Sequence, residues 1–502
     1  MYAENDFQLI EARTRHGRAE IPWRRSNSFV NPNVLFDDET VNRTSSSDHI
    51  TAIIGKNGTG KSYLLTSIVQ TFLALEDAQT MRKDNVGSIP LEYLAYRADG
   101  KTCVVSRRRR GKLELQVEGR EVSIFHLPLP RRVVALTVTP FDKFPVPTKI
   151  RGSSTQNEAF LYEYLGLRDR FNKASLENLL YRSLNNLFDE ARDDALRRVN
   201  VEAAFSYFEL RPRLTVAYRL KIPKIIRDAI VHQKTLRYPQ IGNDYSQRRR
   251  VEQMLTDGLD INYLNDLLVR AIANAQYGII RTTADFAPGG RIDEAFKDLQ
   301  PLRRAGFLSV EGIEVIQYNG VVADLKRASS GQLSMIVSLL SLASVITNAS
   351  LVLIDEPELS LHPEWQTEYV NLLVRTFSRF DGCHFVVATH SPMVISELPA
   401  HARIVALDRP NIPSVAESAG QSADYLLAEV FGAPSRGNLH VRQLIVEALK
   451  LVANGKARTQ AFRDTLSNLT EVAKELDPSD PAAEVIANLA EVAKDAGTKV
   501  QK

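Results

Sequence analysis

The spacing of apolar residues along the chain predicts an α/β protein. Residues 51–54 and 351–354 are short apolar runs that end in polar or glycine-rich segments, which is typical of buried strands. Residues 384–388 form a third such run, and residues 62–73 have the spacing of a helix. Strands and helices therefore follow one another as an α/β core requires.

A long uncharged stretch runs from Gly331 to Ile354. A membrane-spanning helix needs about 20 apolar residues, but serine, threonine and asparagine residues interrupt this stretch. We therefore expect a buried helix over residues 332–347, a turn over residues 348–350 and then a strand. No membrane span is expected.

Residues 55–62 read Gly-Lys-Asn-Gly-Thr-Gly-Lys-Ser and match the phosphate-loop pattern G-x-x-x-x-G-K-[ST]. A strand is predicted before this loop and a helix after it, which is the context that the pattern needs. The glycines allow the backbone to wrap a phosphate, and the helix N-terminus adds partial positive charge. Lys61 is expected to reach the β- and γ-phosphates, and Ser62 to bind Mg²⁺. The other candidate nucleotide-binding residues of the loop are Asn57, Gly58, Thr59 and Gly60.

Two adjacent acids follow the apolar run at residues 351–354. At the exposed tip of a strand, Asp355 is expected to hold a metal ion and Glu356 to orient a water molecule. His390 follows the next apolar run, at a similar strand tip, and is a candidate for contacting a γ-phosphate. A lone histidine is more often structural, so this role depends on the neighbouring motifs. Together with the phosphate loop, these residues predict a nucleotide hydrolase.

A further signature precedes the uncharged helix. It consists of Ser329, Ser330, Gly331 and Gln332. A helix that begins here offers backbone N–H groups to a phosphate. If the helix lies elsewhere on the sheet than the phosphate loop, it would serve the nucleotide of a second subunit. The alternative is an ordinary capped helix.

The order of these four motifs resembles that of the ABC-type ATPases, in the soluble branch that includes SMC and RecF-like proteins. Residues 354–366, which read Ile-Asp-Glu-Pro-Glu-Leu-Ser-Leu-His-Pro-Glu-Trp-Gln, are more specific. They resemble the antiphage defence ATPases related to the OLD family, and most of all the Septu-type ATPase that partners an HNH nuclease, including retron-associated versions. The resemblance covers about residues 45–75 and 300–435.

The resemblance implies an ABC/SMC-like ATPase core, in which a mixed sheet carries the phosphate loop, and ATP and Mg²⁺ as cofactors. It also assigns roles to individual residues. Lys61 and Glu356 would be catalytic, with Glu356 as base or water-orienting group, and His390 would be the switch residue. Ser62 and Asp355 would support Mg²⁺. The signature at residues 329–332 would close on ATP bound by the opposite subunit of a homodimer or higher homo-oligomer. The dimer seam would be lined by Leu359, Ser360, Leu361 and His362.

One departure concerns a glutamine that this family usually has between the phosphate loop and the insertion. The corresponding region is residues 138–144, which contain no glutamine. Either Asp142 replaces it at the metal, or hydrolysis is slow.

The spacing of the motifs predicts four segments. These are an N-terminal ATPase lobe (1–150), a compact helical insertion (151–300), a C-terminal ATPase lobe (301–435) and a helical extension (436–502). In the insertion, helical faces are predicted around Leu180 and Leu268. Neither face sustains heptads long enough for a coiled-coil arm. The extension is predicted to pack on the chain's own core, or else on a second subunit or a partner chain.

Composition adds few constraints. The chain has 502 residues, 44% hydrophobic and 25% charged, with a net charge of +3. These values are ordinary for globular proteins. Cys103 and Cys383 fit no metal-site spacing, and no signal peptide is indicated, so a cytoplasmic location is expected. Basic clusters indicate either solvated faces or a surface for nucleic acid or an acidic partner. The clusters are Arg107, Arg108, Arg109 and Arg110, and Arg248, Arg249 and Arg250.

The segment after Pro410 is too short for the nuclease domain that OLD proteins carry, and no nuclease motif is visible elsewhere. We therefore expect an ATP-hydrolysing regulatory subunit of an antiphage complex, in which an ATP-bound dimer controls a separate HNH-type nuclease. Two alternatives stay open: a DNA-repair clamp of the RecF/SMC kind, and an ATP-binding scaffold with little turnover.

Overall fold

A computed structural model describes most of the chain. The residues described are 6–14, 33–36, 49–81, 86, 88–107, 113–147, 161–169, 174–188, 195–223, 245–256, 258–359, 361–377, 380–409, 412–476 and 480–498. Arg108, Arg109, Arg110 and Ser360 from the predictions above lie outside these ranges.

The elements in these ranges confirm an α/β fold with a helical C-terminal region. The strands are β1 (Phe7–Thr14), β2 (Asn33–Leu35), β3 (His49–Ile54), β4 (Leu91–Ala98), β5 (Lys101–Arg107), β6 (Leu113–Val117), β7 (Arg120–Glu121), β8 (Arg132–Thr137), β9 (Tyr162–Leu165), β10 (Leu210–Leu220), β11 (Ile279–Asp285), β12 (Leu308–Gln317), β13 (Val322–Asp324), β14 (Ser350–Asp355), β15 (His384–Ala388) and β16 (Arg403–Ala406). The longer helices are Lys61–Thr80, Leu176–Leu187, Ala195–Tyr207, Tyr245–Thr256, Ile261–Asn274, Ala295–Ala305, Ser330–Val345, Pro363–Phe377, Leu439–Ala453, Gln460–Ala473 and Pro481–Thr498.

The chain divides into two compact units, of which the first comprises Met1–Pro145 and Thr347–Lys502. Its central sheet has the strand order β16-β3-β15-β14-β8, and every neighbouring pair is parallel. The strands are buried along nearly their whole length, as expected for a sheet covered on both faces. Because parallel strands end at the same edge, the segments that follow β3, β14 and β15 meet there.

A second sheet of the first unit is antiparallel, with the order β2-β1-β4-β5-β6-β7. It packs on the helix Lys61–Thr80 through an aromatic cluster of Phe7, Phe72 and Tyr96, whose ring centroids lie 5.3–5.8 Å apart. The amide of Leu9 donates to His384 Nδ1 at 2.9 Å, which links β1 to the central sheet. The helix that follows the phosphate loop is therefore fixed from both sides.

The C-terminal helices form a small core of their own around Phe462 and Leu469, which are fully buried. The apolar faces of the helices Leu439–Ala453 and Pro481–Thr498 contribute Ile445 and Ile486 to this core. Packing on the chain itself therefore accounts for these faces. The helix Leu439–Ala453 also has exposed apolar residues, which are Leu439, Val446 and Leu449.

The second unit comprises Val146–Ile346. The expectation of a purely helical insertion needs correction, because an antiparallel sheet with the order β11-β10-β12-β13 accompanies the helices. In β10, Leu214 and Val216 are buried while Arg213 and Arg219 are exposed, as in a strand with one solvated face. The unit extends past residue 300, because the helix Ser330–Val345 packs on Leu176–Leu187, where Ser183 and Ser341 are hydrogen-bonded.

The uncharged stretch folds as predicted, into a buried helix followed by strand β14. Within the ranges that the structure covers, no helix has the length and apolar character to cross a membrane.

Candidate functional site

The phosphate loop connects β3 to the helix Lys61–Thr80. Gly60 precedes this helix with φ 98°, a left-handed conformation that favours glycine, and no side chain caps the helix. A Cβ atom at Gly55 would lie 2.7 Å from Thr59 Oγ1, so the loop closes tightly only with glycine there. The first N–H groups of the helix therefore remain available to an anion, as the motif requires.

Lys61 is directed into the site rather than into solvent. Its side chain is buried, and Nζ donates to the carbonyl of Gly55 at 2.9 Å and contacts His390 Nε2 at 2.5 Å. Burial lowers the pKa of Lys61, while nearby carboxylates, with Glu356 the largest contributor, act in the opposite direction. This lysine is a buried cation at the place where the loop would hold phosphates.

Ser62, in the first turn of the helix Lys61–Thr80, meets Asp355 at the end of β14. The Ser62 hydroxyl donates to Asp355 Oδ1 at 3.0 Å. Asp355 is buried, and this burial raises its pKa to about 7, against the hydrogen bond from Ser62, which lowers it. A bound divalent cation would favour the ionised carboxylate.

This pair fits Mg²⁺. The ion prefers oxygen ligands and is commonly held by one or two protein groups together with phosphates and water. Across the residues that the structure covers, no group of three or more His, Cys, Asp or Glu side chains could hold a metal by itself. Ser62 and Asp355 would hold Mg²⁺ together with the phosphates of a bound nucleotide.

Glu356 directly follows β14, is partly buried, and has φ 52°, a strained conformation for a residue other than glycine. Its Oε1 atom lies 3.2 Å from His390 Nε2. Burial acts to raise the pKa of Glu356, but the hydrogen bond with His390 and the charges of His390 and Lys61 outweigh it, so the pKa is lowered. Glu356 is therefore an ionised carboxylate, as a base or water-orienting group must be.

His390 joins the loop and the acidic tip. Its ring contacts both Lys61 Nζ and Glu356 Oε1, because β15 lies between β3 and β14. The predicted residues Lys61, Glu356 and His390 thus form one contact network at the sheet edge.

Sequence reasoning missed Glu358. Its Oε1 atom accepts the backbone N–H of His390 at 2.6 Å, and its side chain is only 9% exposed. The available signal was the second glutamate of the Asp-Glu-Pro-Glu string, which periodicity alone does not distinguish from a loop residue.

The segment without a glutamine follows β8, next to β14. Asp142 is buried there and raises the pKa of Asp355 through its charge, so the two carboxylates are neighbours. Asp142 Oδ1 accepts the backbone N–H of Phe144 at 3.1 Å. Phe141 on the same loop is 82% exposed. The replacement of the glutamine by Asp142 at the metal stays a prediction.

The signature residues begin the helix Ser330–Val345 in the second unit. Ser329 and Gln332 form a reciprocal capping box, in which Ser329 Oγ accepts the Gln332 N–H at 3.3 Å and Gln332 Oε1 accepts the Ser329 N–H at 3.2 Å. Ser330 and Gly331 occupy the first turn. The helix therefore begins at an ordinary side-chain cap, which is the alternative that the sequence left open. The closure of these residues on ATP of a second subunit stays a prediction.

Two other predicted surfaces are partly described. Leu359 and His362 of the proposed dimer seam are exposed, whereas Leu361 is buried. Arg107 Nη2 donates to the carbonyl of Ile89 at 2.8 Å, so its guanidinium is partly engaged within the chain. Arg248, Arg249 and Arg250 are all exposed on the helix Tyr245–Thr256.

Comparison with known proteins gives one family match. Residues 176–396, less than half of the chain, match a family described as "AAA domain, putative AbiEii toxin, Type IV TA system". The matched segment includes Asp355, Glu356 and His390 and begins after the phosphate loop. With the loop geometry, this match supports an ATP-binding domain of the P-loop ATPase type.

One curated relative is the protein ea59 of Escherichia phage lambda, which is 31% identical over 122 residues. That match covers 23% of this chain and 22% of ea59, so the chain spans about a fifth of that relative.

Solved structures with a related arrangement include an SMC head domain from Thermotoga maritima and RecF from the RecFOR pathway. The SMC head is 12% identical with a TM-score of 0.34, covering 81% of this chain and 96% of its own. RecF is 12% identical with a TM-score of 0.26, covering 81% of this chain and 99% of its own. These low values support no inference about function.

Proposed function

We propose that this chain binds and hydrolyses ATP. The observation that carries this proposal is the contact network in which His390 touches both Lys61 and Glu356 beside the hydrogen-bonded pair of Ser62 and Asp355. A phosphate-binding cation, a carboxylate and a pair of metal-binding oxygens lie together at one sheet edge. This combination suits phosphoryl transfer to water.

Each residue has a definite task in this reaction. The phosphate loop and Lys61 bind the β- and γ-phosphates. Bound Mg²⁺ would neutralise charge on these phosphates, and Ser62 and Asp355 would hold it. Glu356 accepts a proton from the attacking water, because its carboxylate stays ionised beside His390. His390 orients that carboxylate and lies close enough to Lys61 to contact the same γ-phosphate.

We further propose that ATP joins two copies of the chain. The helix Ser330–Val345 begins with a capping box between Ser329 and Gln332, and the partial positive charge of a helix N-terminus favours an anion there. In this arrangement residues 329–332 of one copy bind the γ-phosphate held by the phosphate loop of the other. Hydrolysis or loss of nucleotide would then separate the copies.

We propose that the dimer controls a separate effector in antiphage defence, an HNH-type nuclease. The support is the resemblance of residues 354–366 to Septu-type ATPases, including retron-associated ones, and the toxin–antitoxin description of the matching family. Within the part of the chain that is described, no cluster of three or more metal-binding side chains provides a nuclease centre.

The experiment that tests the effector role is a pull-down of the tagged chain from its own host, with ATP and without it. A small protein with a nuclease motif that is gained or lost with ATP supports the proposal. Recovery of DNA alone contradicts it and favours a second candidate, a RecF/SMC-like clamp. The exposed Arg248, Arg249 and Arg250 are the observation in favour of that candidate.

A further inference from the structure

Glu358 lies two residues after the proposed base Glu356. Its side chain contacts the segment after β15, residues 389–391, which we name the switch loop. The chain reverses direction here, with hydrogen bonds from Leu359 N to Glu356 O at 3.2 Å and from Leu361 N to Glu358 O at 3.0 Å. This turn directs the Glu358 side chain into the protein, where it is 9% exposed. A buried carboxylate is costly unless it is hydrogen-bonded, so its contacts must compensate for burial.

One compensating contact holds the backbone of the switch loop. Glu358 Oε1 accepts the His390 N–H at 2.6 Å, a charge-assisted distance. The next residue is held from the same side, since Ser391 Oγ donates to Gln366 Oε1 at 2.7 Å and Gln366 Nε2 donates to the carbonyl of Leu361 at 3.1 Å. Consecutive residues of the switch loop are thus fixed by the segment that follows the acidic strand.

The other oxygen of Glu358 accepts no hydrogen bond of normal geometry from the described residues. This atom, Oε2, is buried. A buried acceptor of this kind is usually satisfied by water or by a proton on the group itself. Burial raises the pKa of Glu358, while the His390 N–H lowers it. Glu356, which is ionised, and Glu358 therefore have different environments although they are neighbours.

We infer that Glu358 is a positioning residue for the proposed hydrolysis, which holds the His390 backbone so that the imidazole bridges Lys61 and Glu356. The hydrogen bond to the His390 backbone N–H lets Glu358 act on this loop and leaves the imidazole ring available to Lys61 and Glu356. Loss of Glu358 would free the ring from its place while leaving the phosphate loop intact. This inference rests on the proposed ATPase activity.

The test is steady-state ATP hydrolysis by the full chain with Glu358→Ala and Glu358→Gln. Loss of a residue that orients a catalytic group typically costs 10- to 100-fold in activity, so we expect kcat to fall by roughly that factor in Glu358→Ala, with KM changed by less than about threefold. Glu358→Gln keeps an oxygen that accepts the His390 N–H, and it should restore kcat to within about threefold of the original chain. Glu364→Ala, an exposed acid at the start of the helix Pro363–Phe377, is the matched control and should leave kcat unchanged.

A double-mutant cycle with His390→Ala separates positioning from a general structural role. If Glu358 acts through His390, the variant with both changes is no slower than His390→Ala alone. Losses that multiply, or a normal kcat in Glu358→Ala, would overturn the inference. If Glu358→Ala does not fold, Gln366→Ala is measured in its place, because Gln366 holds the next residue of the switch loop. A normal kcat in Gln366→Ala would contradict the positioning role of this segment. An original chain that releases no phosphate would instead refute the proposed function.

Discussion

At the scale of single residues, the site concentrates buried charge. Asp355 and Lys61 are nearly inaccessible to solvent. Burial raises the pKa of Asp355 and lowers the pKa of Lys61, so that it favours the neutral form of both groups. Proteins commonly retain such costly groups where a ligand supplies the compensating charge. Without nucleotide, the original chain is therefore expected to have a lower free energy of unfolding than a variant that lacks the Asp355 carboxylate.

This expectation gives a prediction for Asp355→Asn. The folded pKa of Asp355 is about 7, above the value of about 3.9 in an unfolded chain. The folded state thus binds more protons between these values, and the free energy of unfolding falls as pH rises from about 4 to about 7. At pH 8 without nucleotide, Asp355→Asn should be more stable by on the order of 1–2 kcal/mol, and it should not hydrolyse ATP.

Urea denaturation of both chains at pH 5 and pH 8 measures this effect. The stabilisation should be largest at pH 8 and smallest at pH 5, where Asp355 keeps its proton in the folded state. Equal stabilisation at both pH values would mean that ionisation of Asp355 is not the cause.

At the scale of elements, the helix Ser330–Val345 begins at a capping box that would also be half of a composite ATP site. Ser329→Ala removes the Ser329 side-chain acceptor for the Gln332 N–H. The loss of a cap costs about 1 kcal/mol, so stability should fall by that amount. ATP-dependent association should fall much further, since Ser329 would contact the nucleotide of the second copy.

Thr459→Ala is the matched control, because the Thr459 hydroxyl accepts the Phe462 N–H at the start of the helix Gln460–Ala473. Both variants are compared by denaturation and by light scattering with Mg-ATP. We expect both variants to lose a similar amount of stability. Association with Mg-ATP should be impaired only in Ser329→Ala. If association falls equally in both, capping explains the effect and the signature has no role in ATP binding.

The basic helix Tyr245–Thr256 carries a separate prediction. Reversing the charge of exposed arginines weakens binding to phosphates in a salt-dependent manner. If this surface binds nucleic acid, Arg248→Glu with Arg249→Glu should abolish retention on DNA and RNA at low salt. Arg458→Glu with Arg463→Glu, exposed in the C-terminal helices, controls for net charge. Unchanged retention in the first variant would mean that the cluster is only a solvated face.

The elements that build the site could be predicted from the sequence because their signals are local. A phosphate loop between strand and helix, and acids at the end of an apolar run, need no distant partner to be recognised. The sheet of the second unit was missed, since β10 pairs with β11 and β12 across long stretches of chain. The role of Glu358 was missed for the same reason: its partner His390 is 32 positions away.

At the scale of the whole molecule, the same bound ATP would control both hydrolysis and dimerisation. ATP would hold two copies together, and Glu356 would end that state by activating water. A variant that binds ATP without hydrolysing it should therefore accumulate as the dimer. The exposed Leu359 and His362 would then become buried between copies.

The most direct measurement is phosphate release by the purified chain with Mg-ATP, recorded together with its mass in solution, for the original chain and Glu356→Gln. A general base contributes about 10²–10⁴-fold to rate, so we expect Glu356→Gln to release phosphate at least about 100-fold more slowly and to remain dimeric with ATP. Lys61→Ala should neither bind ATP nor form the dimer. Phosphate release at the original rate by Glu356→Gln, or a mass that does not respond to ATP in either chain, would contradict the account.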